Sequence, residues 1–233
     1  ASGVSNLLGT GNLASLAPAD GVEVGTQYRY ALGLPIDLDA HHSALLPFMQ
    51  ADLKVRRVAY FESPGATPAA SVHGTNDTQQ TMPEGTAALF ECGGFAGETS
   101  IERTKPGDSR ILDFGVDMDV ELNVLEQDYE DAPKIVELTY GTLAVHYLRQ
   151  HTARYELKNR SGSARSLYLP LHYQRNADVQ GADELTYDSE RGVPLAVFQV
   201  EPPNPFERTS VVRERRVEPF FLFHRIVGDH PPQ

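Results

Sequence analysis

The chain has no tryptophan and only one cysteine and three methionines in 233 residues, and each shortage removes a class of chemistry. The single Cys92 excludes an internal disulfide and any cysteine-rich zinc centre. Between Glu91 and Gly93-Gly94 it also has no neighbouring base to activate a thiolate. No apolar run approaches the roughly 18 residues that cross a bilayer as a helix, so no transmembrane segment is expected. Basic residues are few: 20 Lys and Arg stand against 32 Asp and Glu, a formal net charge of −12. Such a surface repels a phosphate backbone. Arg213, Arg215 and Arg216 come nearest to a basic patch, but Glu214 and Glu218 interrupt them, so no nucleic-acid partner is expected.

Sustained helical periodicity is missing too, as are repeats of twenty to fifty residues, and solenoids and propellers are unsupported. Gly9 to Ala14, GTGNLA, matches a loose dinucleotide pattern without the strand before it or the helix after it that would give it meaning. No G-x-S-x-G nucleophile turn occurs. No cofactor is expected.

What is present is the composition of a β protein: ten Tyr, ten Phe, nineteen Gly and sixteen Pro, with turn signals about every ten residues. The fold class predicted is all-β, an antiparallel β-sandwich of two consecutive β units. Residues 1–22 read as a flexible N-terminal arm, 23–124 as the first unit, 125–134 as an acidic linker, 135–218 as the second unit and 219–233 as an apolar C-terminal segment. The clearest signal is Thr152 to Tyr173. There Ala153, Tyr155 and Leu157 alternate with polar residues, Asn159-Arg160-Ser161-Gly162 turns the chain, and Leu167, Leu169, Leu171 and Tyr173 alternate again, which predicts one antiparallel hairpin. The chain begins at Ala1 without an initiator methionine or a basic, apolar leader, as a mature or trimmed form would.

The sharpest carboxylate cluster is Asp113, Asp117, Asp119 and Glu121. Strand alternation would set Asp117, Asp119 and Glu121 on one face and Val116, Met118, Val120 and Leu122 toward the core. Those carboxylates could hold a calcium ion or act as an acid/base pair; a solvated strand face accounts for the same pattern with fewer assumptions. Among eight histidines, His146 and His172 lie in neighbouring predicted strands and could share a metal, while adjacent His41 and His42 would face opposite ways. Pro219-Phe220-Phe221-Leu222-Phe223 reads either as a buried final strand or as a segment that docks on a partner or a second copy. Asn176 to Arg191, with Tyr187, reads as a long connection able to host a sugar or peptide site.

RYELKNRSGSARSLYL resembles a segment of the bacterial family of unknown function that forms the C-terminal region of mucoidy-inhibitor-A-like proteins. Colinear blocks with the same resemblance are VGTQYRYAL, HSALLPFMQADLKVRRVAYF, HGTNDTQQTMPEGTAALFECGGFAGE and PGDSRILDFGVDMDVELNV, which together cover most of Val24 to Val217. The chain departs from it at Leu171-His172-Tyr173-Gln174-Arg175, where a His-Pro-Arg-like continuation is expected. The resemblance implies an all-β, envelope-associated, periplasmic or secreted domain without established catalytic residues, a short member or a fragment lacking an N-terminal coiled coil. A non-enzymatic interaction or structural module is therefore the leading expectation, with a protein partner or self-association. A metal-dependent hydrolase and a glycan- or peptide-binding sandwich are the alternatives.

Overall fold

The computed structural model describes residues 20–24, 27–31, 37, 40, 41, 43, 49–139, 142–173, 176–202 and 205–221. The protein is all-β, with several sheets and no helix among the described residues. In chain order the strands are β1 (Asp20–Val24), β2 (Gln27–Ala31), β3 (Val55–Tyr60), β4 (Ala69–Thr75), β5 (Gly85–Glu91), β6 (Gly94–Ile101) and β7 (Ser109–Val116). They continue with β8 (Val120–Thr139), β9 (Thr142–Asn159), β10 (Arg165–Pro170), β11 (Asp178–Gln180), β12 (Glu184–Asp188), β13 (Val193–Val200) and β14 (Phe206–Phe221). A six-stranded sheet has the order β12-β13-β10-β3-β4-β7 and a four-stranded sheet the order β11-β14-β9-β8. The β1-β2 and β5-β6 pairs are separate hairpins.

The chain divides into two compact units, 1–56 with 72–112 and 57–71 with 113–233. They are interleaved along the sequence, not consecutive as expected. Each of β3, β4 and β7 has a unit boundary within it. The acidic stretch 125–134 is no linker either, because it is the middle of β8. Of the predicted arm 1–22, the described part, Asp20–Val22, belongs to β1.

In the unit containing 113–233, the two sheets meet through one sandwich core. Ala59 and Phe61 from the β3 region, Leu167, Leu169 and Leu171 from the β10 region, and Ala196, Phe198 and Val200 of β13 come from the six-stranded sheet. Val120 and Leu122 of β8 and Ala153, Tyr155 and Leu157 of β9 oppose them. Every contributing strand supplies alternate residues to this core, and β3, β10 and β13 are buried on their other face as well, at Val58, Tyr60, Tyr168, Leu195 and Val197.

The predicted hairpin from Thr152 to Tyr173 is the main topological correction. Its two strands lie in different sheets: β9 pairs with β8 and β14, whereas β10 pairs with β13 and, in parallel, with β3. The connection is an arch across the core. Alternation specifies which side chains point inward, and that set is the same whether the second strand returns beside the first or opposite it. The true hairpin is β8-β9, antiparallel from Val120↔Asn159 to Thr139↔Thr142 with register shifts between Val124/Glu126 and Pro133/Ile135.

Asn159 locks the arch. It is fully buried, its Nδ2 donates to the Ser163 and Val200 carbonyls at 2.9 and 2.8 Å, and its Oδ1 accepts from the backbone N–H and hydroxyl of Ser161. In the other unit Asn76 repeats the pattern. Its Nδ2 donates to the Gln80 and Thr104 carbonyls, and its Oδ1 accepts from the N–H and hydroxyl of Thr78. Both are Asn-x-Ser/Thr turns whose side chain also fastens a distant chain segment.

Candidate functional site

The register of the four-stranded sheet carries the core-facing side of β9 beyond the core. From the rung of Leu122, Leu157 and the half-buried Phe206 the inward set runs through Val124, Tyr155 and Arg208 and then Gln127, Ala153 and Ser210 to Tyr129, His151 and Val212, then Asp131, Arg149 and Glu214, then Pro133, Tyr147 and Arg216. The last two rungs are Val136, Val145, Glu218 and Leu138, Leu143, Phe220. The two register shifts in β8 each insert one residue, which keeps its inward set in phase with that of β9. One face thus runs from apolar core through a polar band to a second apolar strip.

A cavity of about 340 Å³ opens where this face leaves the core. It is lined by Val124, Gln127, Tyr129, Arg149, His151 and Arg216 from the four-stranded sheet and by Leu169, Leu171, His172 and Tyr173 opposite. A second cavity of about 300 Å³ shares Leu171 and Tyr173 and continues to Val179, Leu185 and Tyr187. Tyr173 is the partition between them.

His151 is the centre of the first cavity. Only 8 % of it is exposed, its ring stacks on Tyr129 with centroids 4.2 Å apart and planes 14° apart, and its Nδ1 is hydrogen-bonded to the Tyr173 hydroxyl. Burial pushes the imidazole pKa down and the Tyr173 phenol up. Both shifts favour the neutral forms of the pair. The buried Nε2 of His151 has no hydrogen-bond partner.

The charges around it are matched. The Arg149 guanidinium donates to both carboxylate oxygens of Asp131 at 2.6 Å, and this hydrogen bond holds the Asp131 carboxyl below its usual value. Arg216 Nε donates at 2.6 Å to the buried Glu214. Each cation therefore brings its own counter-charge.

The carboxylates singled out from sequence do not converge. Residues 117–119 lie between β7 and β8, so strand alternation breaks there. Val120 and Leu122 face the core as expected, but Val116 is 62 % and Met118 73 % exposed while Asp117 is 3 % exposed. Asp117 lies 3.8 Å from Arg57 and 4.0 Å from Arg165 and accepts the Asp119 N–H, Asp119 itself is exposed, and Glu121 pairs with Arg160 at 2.6 Å. Asp113 belongs to a brace in which Ser71 donates to one of its oxygens and Arg191 to the other. The same Arg191 bonds Asp188 at 3.0 Å and lies over the Tyr60 ring, whose phenol is pushed up to about 12, chiefly by burial.

His146 is on the outer face of β9, 3.7 Å from Glu137, whereas His172 lines the cavity of the inner face; the two are not brought together. No group of three or more His, Cys, Asp or Glu able to hold a metal occurs among the described residues. Phe220 ends the distal apolar strip, the Phe221 backbone closes β14, and Leu222 and Phe223 lie outside the described residues. Residues 176–191 are less a loop than β11 and β12 in succession, with Tyr187 lining the second cavity.

Tyr129, Arg149, His151 and Tyr173 were not singled out as a site by sequence reasoning. Tyr129 sits inside the acidic stretch taken for a linker, and only the pairing of β8 with β9 places it beside His151. No protein-family model, curated protein or solved structure matches the chain.

Proposed function

We propose that the chain is a non-enzymatic interaction module of a bacterial envelope or extracellular protein, with a protein partner docking on the distal part of the four-stranded sheet. The observation that carries this reading is the apolar strip on the extension of the core face, where Val136, Leu138 and Phe220 are 61, 64 and 45 % exposed. Contiguous exposed apolar side chains on one sheet face are a mark of an interaction surface. Glu218 stands on the strip itself, in the rung of Val136 and Val145, on a chain whose net charge is −12. That balance favours a partner with an apolar ridge flanked by basic groups over a second copy of the same acidic chain. The envelope assignment rests on the sequence resemblance.

The described side chains favour binding over catalysis. Ser109 Oγ is 2.8 Å from His73 Nε2, but it also donates to the Gly74 carbonyl and accepts from Thr75, a cross-strand polar cluster and not a nucleophile poised on a base. No transmembrane helix contributes: none among the described residues is long and apolar enough to cross a membrane.

The test is fluorescence anisotropy with a labelled peptide of alternating Leu and Lys, alongside light scattering. Saturable, salt-sensitive binding that falls at least about tenfold, or ~1.4 kcal/mol, in a Leu138→Lys, Phe220→Lys double variant is expected, with a monomer in solution. Equal binding by the double variant, no binding, or a dimer that the double substitution dissolves would each overturn the assignment.

A further inference from the structure

We propose that the cavity around His151 is a binding site for a short, neutral saccharide, independent of the protein-docking strip. Three features of the lining select this ligand class. The first is Tyr129, 60 % exposed although its ring stacks on His151 at 4.2 Å. With one face fixed on the imidazole, the ring is held rigid beside the cavity, the arrangement that offers a flat apolar platform to the C–H face of a sugar ring. The second is Gln127, exposed on the same wall of the cavity. Its amide both donates and accepts, as a sugar hydroxyl does, whereas Nε2 of His151 is closed off from the cavity.

The third is charge. Arg149 and Arg216 both line the cavity, yet Asp131 and Glu214 neutralise them through hydrogen bonds of 2.6 Å. An anion would have to compete with two carboxylates already in place. A neutral polyol instead meets planar, pre-oriented groups, and Gln127 on the same wall adds an amide that donates and accepts. A purely apolar ligand would fill the space against Leu169, Leu171 and Val124 but leave the Gln127 amide and the two guanidinium groups unused. The volume, about 340 Å³, falls in the range of small-ligand clefts.

The probes are maltose and chitobiose as neutral saccharides, glucuronate as an anion and indole as an apolar ring, each titrated into the full chain while the imidazole and tyrosine ring resonances are followed by NMR. Maltose or chitobiose is expected to shift the His151 and Tyr129 signals saturably. Tyr129→Ala should weaken that binding at least about tenfold and Tyr129→Phe about twofold or less, since the platform and not the hydroxyl is used. Both substitutions are at an exposed ring, so the fold survives them. The Leu138→Lys, Phe220→Lys variant should bind the saccharide as the parent does, which separates failure of this site from failure of the docking strip. Tighter binding of glucuronate or indole, no saturable shift with either saccharide, or equal affinity in Tyr129→Ala would overturn the proposal.

Discussion

Asn159 closes the arch by satisfying donors and acceptors from its own turn, at Ser161 and Ser163, and from Val200 of β13 at once. Removing its side chain takes the amide donor from the Val200 carbonyl at a buried position and the acceptor from the half-buried Ser161 N–H. Asn159→Ala is therefore expected to lower the unfolding free energy by about 2–4 kcal/mol, the cost of one to two unsatisfied buried groups. Asn159→Asp should be at least as damaging, because a carboxylate would replace the amide donor facing two carbonyls. Urea denaturation of both variants checks this, and an Asp variant as stable as the parent would show that the amide donor is not what holds the arch. Half of this was legible in the sequence. Asn-Arg-Ser and Asn-Asp-Thr announce turns in which the side chain bonds the backbone two residues on, but nothing local identifies Val200 or Thr104 as the distant acceptors. The same limit hid His151: its own neighbours are unremarkable, and its meaning comes from Tyr129 and Tyr173, supplied by a paired strand and by the end of the opposite sheet.

At the level of strands, β8 and β9 have two halves with different surroundings. Residues near Leu157 and Leu122 are clamped between sheets, while at the distal end of the ribbon Ile135, Val136 and Leu138 of β8 are 61–64 % exposed and most of β9 is half-buried. Amide hydrogen exchange should report the difference, with the amides of Ala144 and His146 exchanging at least about a hundredfold faster than those of Tyr155 and Leu157, since opening the ribbon end does not require opening the core. Uniform protection along β9 would show that the ribbon is covered in solution. This exposure also explains why residues 125–134 read as a linker. A strand with solvent on both faces needs no apolar set, so Glu126, Asp128, Glu130 and Asp131 erase the alternation that reveals a strand elsewhere. In β9 the alternation of Ala153, Tyr155 and Leu157 with polar residues is intact, while β13, buried on both faces, reads as the continuous apolar run Leu195-Ala196-Val197-Phe198, and strands were readable in both. Between β7 and β8 the rule was carried too far: residues 117–119 leave the strand, and Asp117 took the buried position assigned to its apolar neighbours.

For the molecule as a whole, stability should depend on pH through His151. Burial lowers its folded pKa below the ordinary value of 6.5, so the unfolded chain binds the proton first as pH falls. The stability contribution is complete above about pH 6.5 and is lost as pH drops toward the depressed folded value. Urea denaturation at pH 8 and pH 5 is expected to show a smaller loss for His151→Gln than for the parent, and parallel losses would place the acid sensitivity elsewhere. The pairing of β10 with β3 sets Val58 opposite Ser166, and that contact has a kinetic meaning. The β8-β9 hairpin can form from neighbouring residues, whereas the core sheet waits until chain segments far apart in sequence have met, and the arch at Asn159 cannot be fastened before Val200 arrives. Folding of this unit is therefore ordered, with the acidic ribbon early and the closed sandwich last, at the slow rate of high-contact-order β proteins. On a ribosome the hairpin would emerge well ahead of β13. Its row of glutamates and aspartates would then keep a half-made sheet in solution during the wait.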